Sequence, residues 1–194
     1  MSSGPGTVFV TVPGLRGHVE QHWQTRLAAR RPDVLAVPPL GRDNPSLDDR
    51  VAALQETIAV AGGPVVIVAH SAGVLTTVHW AARSGSAHLI RAALLATPPD
   101  LGEPLPAEYP SLSELAEHGW LPIPRGPLLF PSIVAASSDD ALGDPARVRA
   151  LADAWGSRWH DLGPVGHLNP ASGFGEWPEA DSFLTRLSTM EAPR

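Results

Sequence analysis

The sequence predicts an α/β protein with a mostly parallel sheet and helices on both faces. Three observations carry that prediction. Short apolar, β-branched runs alternate with stretches of helical periodicity along the chain. One run, Val65–Ala69, is continuously apolar, as a strand buried on both faces of a parallel sheet must be. The length of 194 residues, 43% of them hydrophobic, suits one domain over residues 1–194 with a sizeable core.

Thr7–Val12 reads as the first strand, ended by the Pro13-Gly14 turn. Gln21–Arg31 reads as a short helix stopped before Pro32, and Val34–Val37 as a strand halted by Pro38-Pro39. Ser46 offers an N-cap, with Asp49 three residues on in a capping-box pattern. Behind it Leu47, Val51, Leu54 and Ile58 step along one helical face until Gly62-Gly63. After Val65–Ala69, a stripe of Val74, Leu75, Val78, Ala81 and Ala82 marks the next helix. Leu89–Ala96 and Ile133–Ala136 are further strands. Asp144 caps a helix with Pro145 in its first position and Val148, Leu151, Ala152 and Trp155 on its buried face. Ser157–Leu162 is the last strand and Pro178–Leu187 the last helix. Residues 97–131 break this rhythm. They are rich in Pro, carry one weak helical pattern at Leu112–His118, and are too long for a plain connection. Two readings stand: a loop over a site, or an irregular insertion packed on the sheet edge.

Composition narrows the chemistry. All 14 basic residues are Arg, which excludes a lysine Schiff base and a P-loop that depends on its Lys. The absence of Cys removes thiolate nucleophiles, disulfides and Cys-based metal sites. A net charge of −6 gives no electrostatic footprint for nucleic acid. His18 and His22 lie four apart, but no third ligand accompanies them, so no metal or other cofactor is expected. No apolar run approaches the ~20 residues of a spanning helix. Met1 to Gly6 carries no basic stretch leading into an apolar core. A cytoplasmic protein without membrane association is the expectation.

The sharpest motif is Ala69-His70-Ser71-Ala72-Gly73, set between the most strand-like run and a good helix. That is the context of a nucleophile elbow of the G-x-S-x-G type, with Ala69 replacing the first Gly by one methyl. The small residues at 69 and 73 are read as relieving mutual crowding across the turn. A serine needs a base, and the base an orienting acid, supplied by this kind of fold in the order Ser, Asp/Glu, His. Asp139 and Asp140 directly follow the Ile133–Ala136 run, and His167 lies in the loop after the last strand. Two backbone N–H groups must face the developing oxyanion. Ala72, just after the serine, and Leu15, in the Pro13-Gly14-Leu15 turn, are the candidates, with Gly14 read as permitting the tight turn. His70 is expected to pack or bond beside the serine.

Several blocks together resemble the small serine hydrolase family of α/β-hydrolase fold that includes retinoblastoma-binding protein 9, and its bacterial members most. These are Val12-Pro13-Gly14, His22-Trp23-Gln24, Gly63-Pro64-Val65-Val66 through His70-Ser71, Pro98-Pro99-Asp100, Pro122-Ile123-Pro124, Phe130-Pro131-Ser132 and Ala154-Trp155-Gly156. The most specific are Gly166-His167-Leu168-Asn169 and Ser172-Gly173-Phe174-Gly175-Glu176-Trp177-Pro178. The resemblance implies a compact single-domain α/β-hydrolase fold without a large cap domain. It implies Ser71 as nucleophile, His167 as base and Asp140 as acid, with Asp139 the alternative, since Ala141 stands where relatives carry Pro after the Asp. The expected activity is hydrolysis of a small carboxylic ester. Thioester, amide or lactone chemistry on the same triad, and a non-catalytic protein-binding module, are the rival expectations. The expected partner is a small-molecule, ester-like substrate; a protein partner is not indicated by the residues.

Overall fold

Residues 6–17 and 19–190 are described by a computed structural model, in which six strands form one sheet, all parallel, in the order β2-β1-β3-β4-β5-β6. The expectation drawn from Met1 to Gly6 therefore lies, except for Gly6, outside the described residues, as does His18. The strands are β1 (Val8–Val12), β2 (Val34–Ala36), β3 (Val65–His70), β4 (Ile90–Ala96), β5 (Ser132–Ala136) and β6 (Arg158–Asp161). The helices are α1 (Trp23–Arg30), α2 (Leu47–Ala59), α3 (Ala72–Arg83), α4 (Leu112–Glu117), α5 (Pro145–Ala154) and α6 (Glu179–Ser188). Each element falls on a segment that the sequence marks. No helix among the described residues is long and apolar enough to cross a membrane.

Strand alternation sorts the core into two layers. Val10, Val12, Val65, Ile67, Ala69, Ala93, Leu95 and Val134 face α2, α3 and α5. Phe9, Val66, Val68, Leu94 and Ile133 face α1 and α6. All six residues of β3 are buried, which is why its sequence shows no polar alternation. The side on which successive strands are added switches at β1. The chain steps outward to β2, then returns to lay β3 on the other side of β1. In open α/β sheets the crevice at the carboxyl ends of such a pair is where ligands bind.

Local signals hold with two adjustments. Asp144 caps α5 as expected, its carboxylate accepting from the Ala146 and Arg147 N–H groups. Ser46 caps α2 by accepting from Asp49 N–H, but the box is not closed. Asp49 instead accepts from the Asn44 amide, and Ser46 N–H donates to Asn44 Oδ1. The reciprocal capping box forms at Ser111 and Glu114, at the head of α4. On α3, Ala82 is exposed, so the buried stripe is narrower than its apolar pattern.

Residues 97–131 pack on the α2/α3/α5 face rather than on the sheet edge. Leu101, Leu115, Trp120, Ile123 and Phe130 join that core. Their polar partners are also internal. His79 of α3 bonds the Trp120 carbonyl, Trp120 Nε1 donates to the Pro45 carbonyl, and Trp155 Nε1 donates to the Pro124 carbonyl. Asp100, buried, accepts from Gly102 N–H, Asp144 N–H and Arg147 Nε, tying the start of the segment to α5. The segment is thus part of the core on one side and free to wall a site on the other.

Candidate active site

β3 becomes α3 through a single residue. Ser71 has φ 56° and ψ −127°, a backbone region in which a residue with a Cβ is strained by roughly 1–3 kcal/mol. Its N–H is held by the Ala96 carbonyl at 3.0 Å. Glycines make room for the turn. A Cβ on Gly73 would run into the Val12 carbonyl oxygen and lie 2.8 Å from that of Pro13, so its nearest constraint comes from the end of β1. Gly14 has no left-handed backbone. A Cβ there would sit 3.2 Å from Ser71 Cβ, tighter than an ordinary contact, so a larger residue would press on the serine. The left-handed position in that loop belongs to Gly17, at φ 73°. Gly73→Ala is expected to cost about 1–3 kcal/mol, the range for overpacking a site that cannot relax. Urea denaturation checks it; an unchanged midpoint would show that β1 yields freely.

Asp139 and Asp140 follow β5, and His167 follows β6. At about 4.8 Å between strands, the loops must lean back roughly 10–14 Å to reach the end of β3. They do. His167 Nε2 lies 2.8 Å from Ser71 Oγ, and His167 Nδ1 lies 2.8 and 3.0 Å from the two Asp140 oxygens. A carboxylate only accepts, so in the neutral imidazole Nδ1 carries the proton and Nε2 accepts from the serine hydroxyl. The three groups are nearly withdrawn from water. Ser71 is 8% and His167 9% exposed, and the Asp140 side chain 3%.

Asp139 does something else. Its Oδ1 accepts from Gly166 N–H at 2.7 Å and from the Ser137 hydroxyl at 2.8 Å, gripping the loop that carries His167. Gly166 is left-handed, at φ 56°, and a Cβ there would press on the Ser172 side chain. Ser172 Oγ in turn accepts from His167 N–H. The sequence places both aspartates at the strand end, and geometry separates their contacts.

His70 bonds beside the serine as expected, its Nε2 lying 2.9 Å from the His167 carbonyl. Burial pushes its imidazole well below the ordinary value of 6.5, with the nearby His22 and His167 rings adding to the effect. His70 is therefore neutral and donates that bond. Burial also lowers His79. The unfolded chain protonates these histidines near pH 6.5, while the folded chain resists until lower pH. Stability from this source is complete above pH 6.5 and declines below it, by up to about 1.4 kcal/mol per pH unit for each proton taken up on unfolding. Urea midpoints that fall between pH 6.5 and 5, with a shallower fall in His70→Gln, are the expected result. A midpoint constant over that interval would contradict it.

Three supporting residues carry no local signal of their role. Gln24, 1% exposed, donates to the Val12 and Val68 carbonyls and so pins the ends of β1 and β3 together. His22 caps α1 through Nδ1 and lies against the His70 ring, 4.6 Å between centroids. Arg50, buried, donates to the Leu15, Gly41 and Asn44 carbonyls, holding the loop after β1 against residues 41–44. The Ala72 N–H opens α3 and so lacks an intrahelical acceptor. Neither it nor the Leu15 N–H has an acceptor among the described residues. No group of three metal-ligating side chains occurs among the described residues.

Ser71 stands where two cavities meet. One, of about 380 Å³ including space open to solvent, is lined almost wholly by apolar side chains from α3 and from residues 97–131. The other, of about 860 Å³ on the same measure, is lined by His22, His70, His167, Asn169 and the loop after β1. Leu15, Ser71 and Tyr109 border both.

Comparison with known proteins agrees with this architecture. The family described as serine hydrolase matches residues 9–186. A protein described as a YdeN-like hydrolase from Pectobacterium atrosepticum superposes with a TM-score of 0.81 at 28% identity, covering 97% of this chain and 94% of that one. The ydeN gene product of B. subtilis gives 0.68 at 19% identity, covering 96% and 100%. Est1E from Butyrivibrio proteoclasticus gives 0.69 at 10% identity, covering 97% and 91%, a likeness of fold alone. A search of curated proteins found no match.

Proposed function

The chain belongs to the serine hydrolase family, and from that premise we propose that it hydrolyses a small carboxylic ester through an acyl-enzyme on Ser71. The observation that carries this reading is the continuous line Ser71 Oγ, His167 Nε2, His167 Nδ1, Asp140, with every link at 3.0 Å or less. His167 takes the hydroxyl proton as Oγ bonds to the ester carbon, and the carbonyl electron pair moves onto oxygen. The Leu15 and Ala72 N–H groups receive that oxyanion. Asp140 keeps the imidazole oriented and stabilises its positive charge. Collapse of the intermediate breaks the bond to the alcohol oxygen, which leaves with the proton from His167. Water then repeats the sequence on the acyl-enzyme and releases the acid. Each step uses protein groups and water.

A fluorophosphonate tests the reading directly, because it phosphonylates a serine activated in this way. Stoichiometric labelling on Ser71, with a burst of p-nitrophenol from p-nitrophenyl acetate, is the expected result. A folded protein that neither labels nor turns over any ester, thioester, amide or lactone would overturn it in favour of a binding role.

A further inference from the structure

The two cavities at Ser71 differ in a way that fixes which half of the substrate each receives. We propose that the acyl group enters the smaller, apolar cavity beneath residues 97–131 and that a larger, polar alcohol lies in the cleft beside His167. This rests on the hydrolase reading above and specifies its substrate class: esters of short apolar acids with polar alcohols.

The assignment follows from where the proton must go. The alcohol oxygen leaves with the proton on His167 Nε2, so the alcohol has to lie on the imidazole side of Ser71. His167 lines the cleft and is not part of the apolar cavity. The acyl chain is the remaining substituent at the tetrahedral carbon and points away from the imidazole. On that side lie Ala72 and the apolar wall of Leu75, Leu101, Leu105, Leu115, Trp120 and Leu142. Size agrees with the assignment. On the same measure the apolar cavity, about 380 Å³, is less than half the size of the cleft, about 860 Å³, which suits a short acyl chain in the one and a larger alcohol in the other. Chemistry agrees as well. The apolar wall leaves no polar group to be desolvated by a short acyl chain, while Arg16 and Asn169 line the cleft where an alcohol with polar substituents would lie.

Two ester series test the proposal. In the first, p-nitrophenyl esters run from acetyl to decanoyl. In the second, the acyl group is fixed at butyryl and the alcohol varies from ethanol to glycerol and sugar alcohols. The expected kcat/KM rises about fourfold for each methylene that finds apolar space. It peaks at a short chain and falls at least tenfold by octanoyl, while the alcohol series tolerates bulk and favours polar members. Leu105, half-buried on the cavity wall, supplies the variants. Leu105→Ala should move the optimum to longer acyl chains, Leu105→Trp to acetyl, and neither should reorder the alcohols. A flat acyl profile in the unmodified protein, or Leu105 variants that reorder alcohols instead of acyl groups, would overturn the assignment while normal fluorophosphonate labelling left the hydrolase reading intact. Loss of labelling in the unmodified protein would sink both.

Discussion

Ser71→Ala is expected to lower kcat by about 10⁵–10⁶-fold and to abolish fluorophosphonate labelling, leaving the fold in place. The nucleophile and its base act as one unit, so removing either removes nearly all of the covalent route; what remains over water comes from binding and from the oxyanion donors. Rate assays with p-nitrophenyl acetate, at protein concentrations high enough to see the residual rate, measure the effect. A loss below a hundredfold would show that another group attacks the carbonyl. The same position separates function from stability. At φ 56° and ψ −127° any Cβ is strained, and Gly is not. Ser71→Gly should therefore be as inactive as Ser71→Ala yet more stable than it by about 1–2 kcal/mol. Equal stabilities would mean that the turn is relaxed in solution.

The second large effect lies at the paired aspartates. Asp140→Asn should cost about 10³–10⁴-fold in kcat, because an amide neither fixes the Nδ1–H tautomer nor stabilises the imidazolium. Asp139→Asn should cost less than tenfold, since its Oδ1 serves only as an acceptor for Gly166 N–H and the Ser137 hydroxyl, a role the amide oxygen retains. Asp139→Ala removes that acceptor. It should lower stability by about 1 kcal/mol and disturb KM and kcat together by loosening the His167 loop. Equal losses in the two Asn variants would dissolve the division of labour between the neighbours.

Much of the framework is legible before any coordinates. The β-branched runs give the strands, Ser46 and Asp144 mark helix starts, and the strand–Ser–helix context of Ala69–Gly73 marks the elbow. Each of these signals acts within a few residues, where backbone sterics and capping decide. The reasons behind some of them are not local. Gly73 is small because of β1, sixty residues earlier in the chain, as the contact with Val12 and Pro13 shows. Gln24 has no periodicity to announce that its amide bridges Val12 and Val68. Arg50 likewise has no local pattern to announce that its guanidinium holds the loop after β1. Residues 97–131 left two readings open because Pro-rich sequence shows where regular structure stops, not which surface it covers.

The sequence by itself determined the element order, the serine at the strand–helix turn, and the exclusion of lysine and thiolate nucleophiles, all consequences of residue identity and short-range geometry. The resemblance favours Asp140 with Asp139 as the alternative, and tertiary structure brings Asp140 to His167; tertiary structure alone decided that residues 97–131 wall an apolar cavity on one side of Ser71. Those outcomes depend on β5 and β6 lying side by side and on loops bending back toward β3. A shift of one residue in a loop exchanges one carboxylate for its neighbour, and no local pattern in the chain registers that difference.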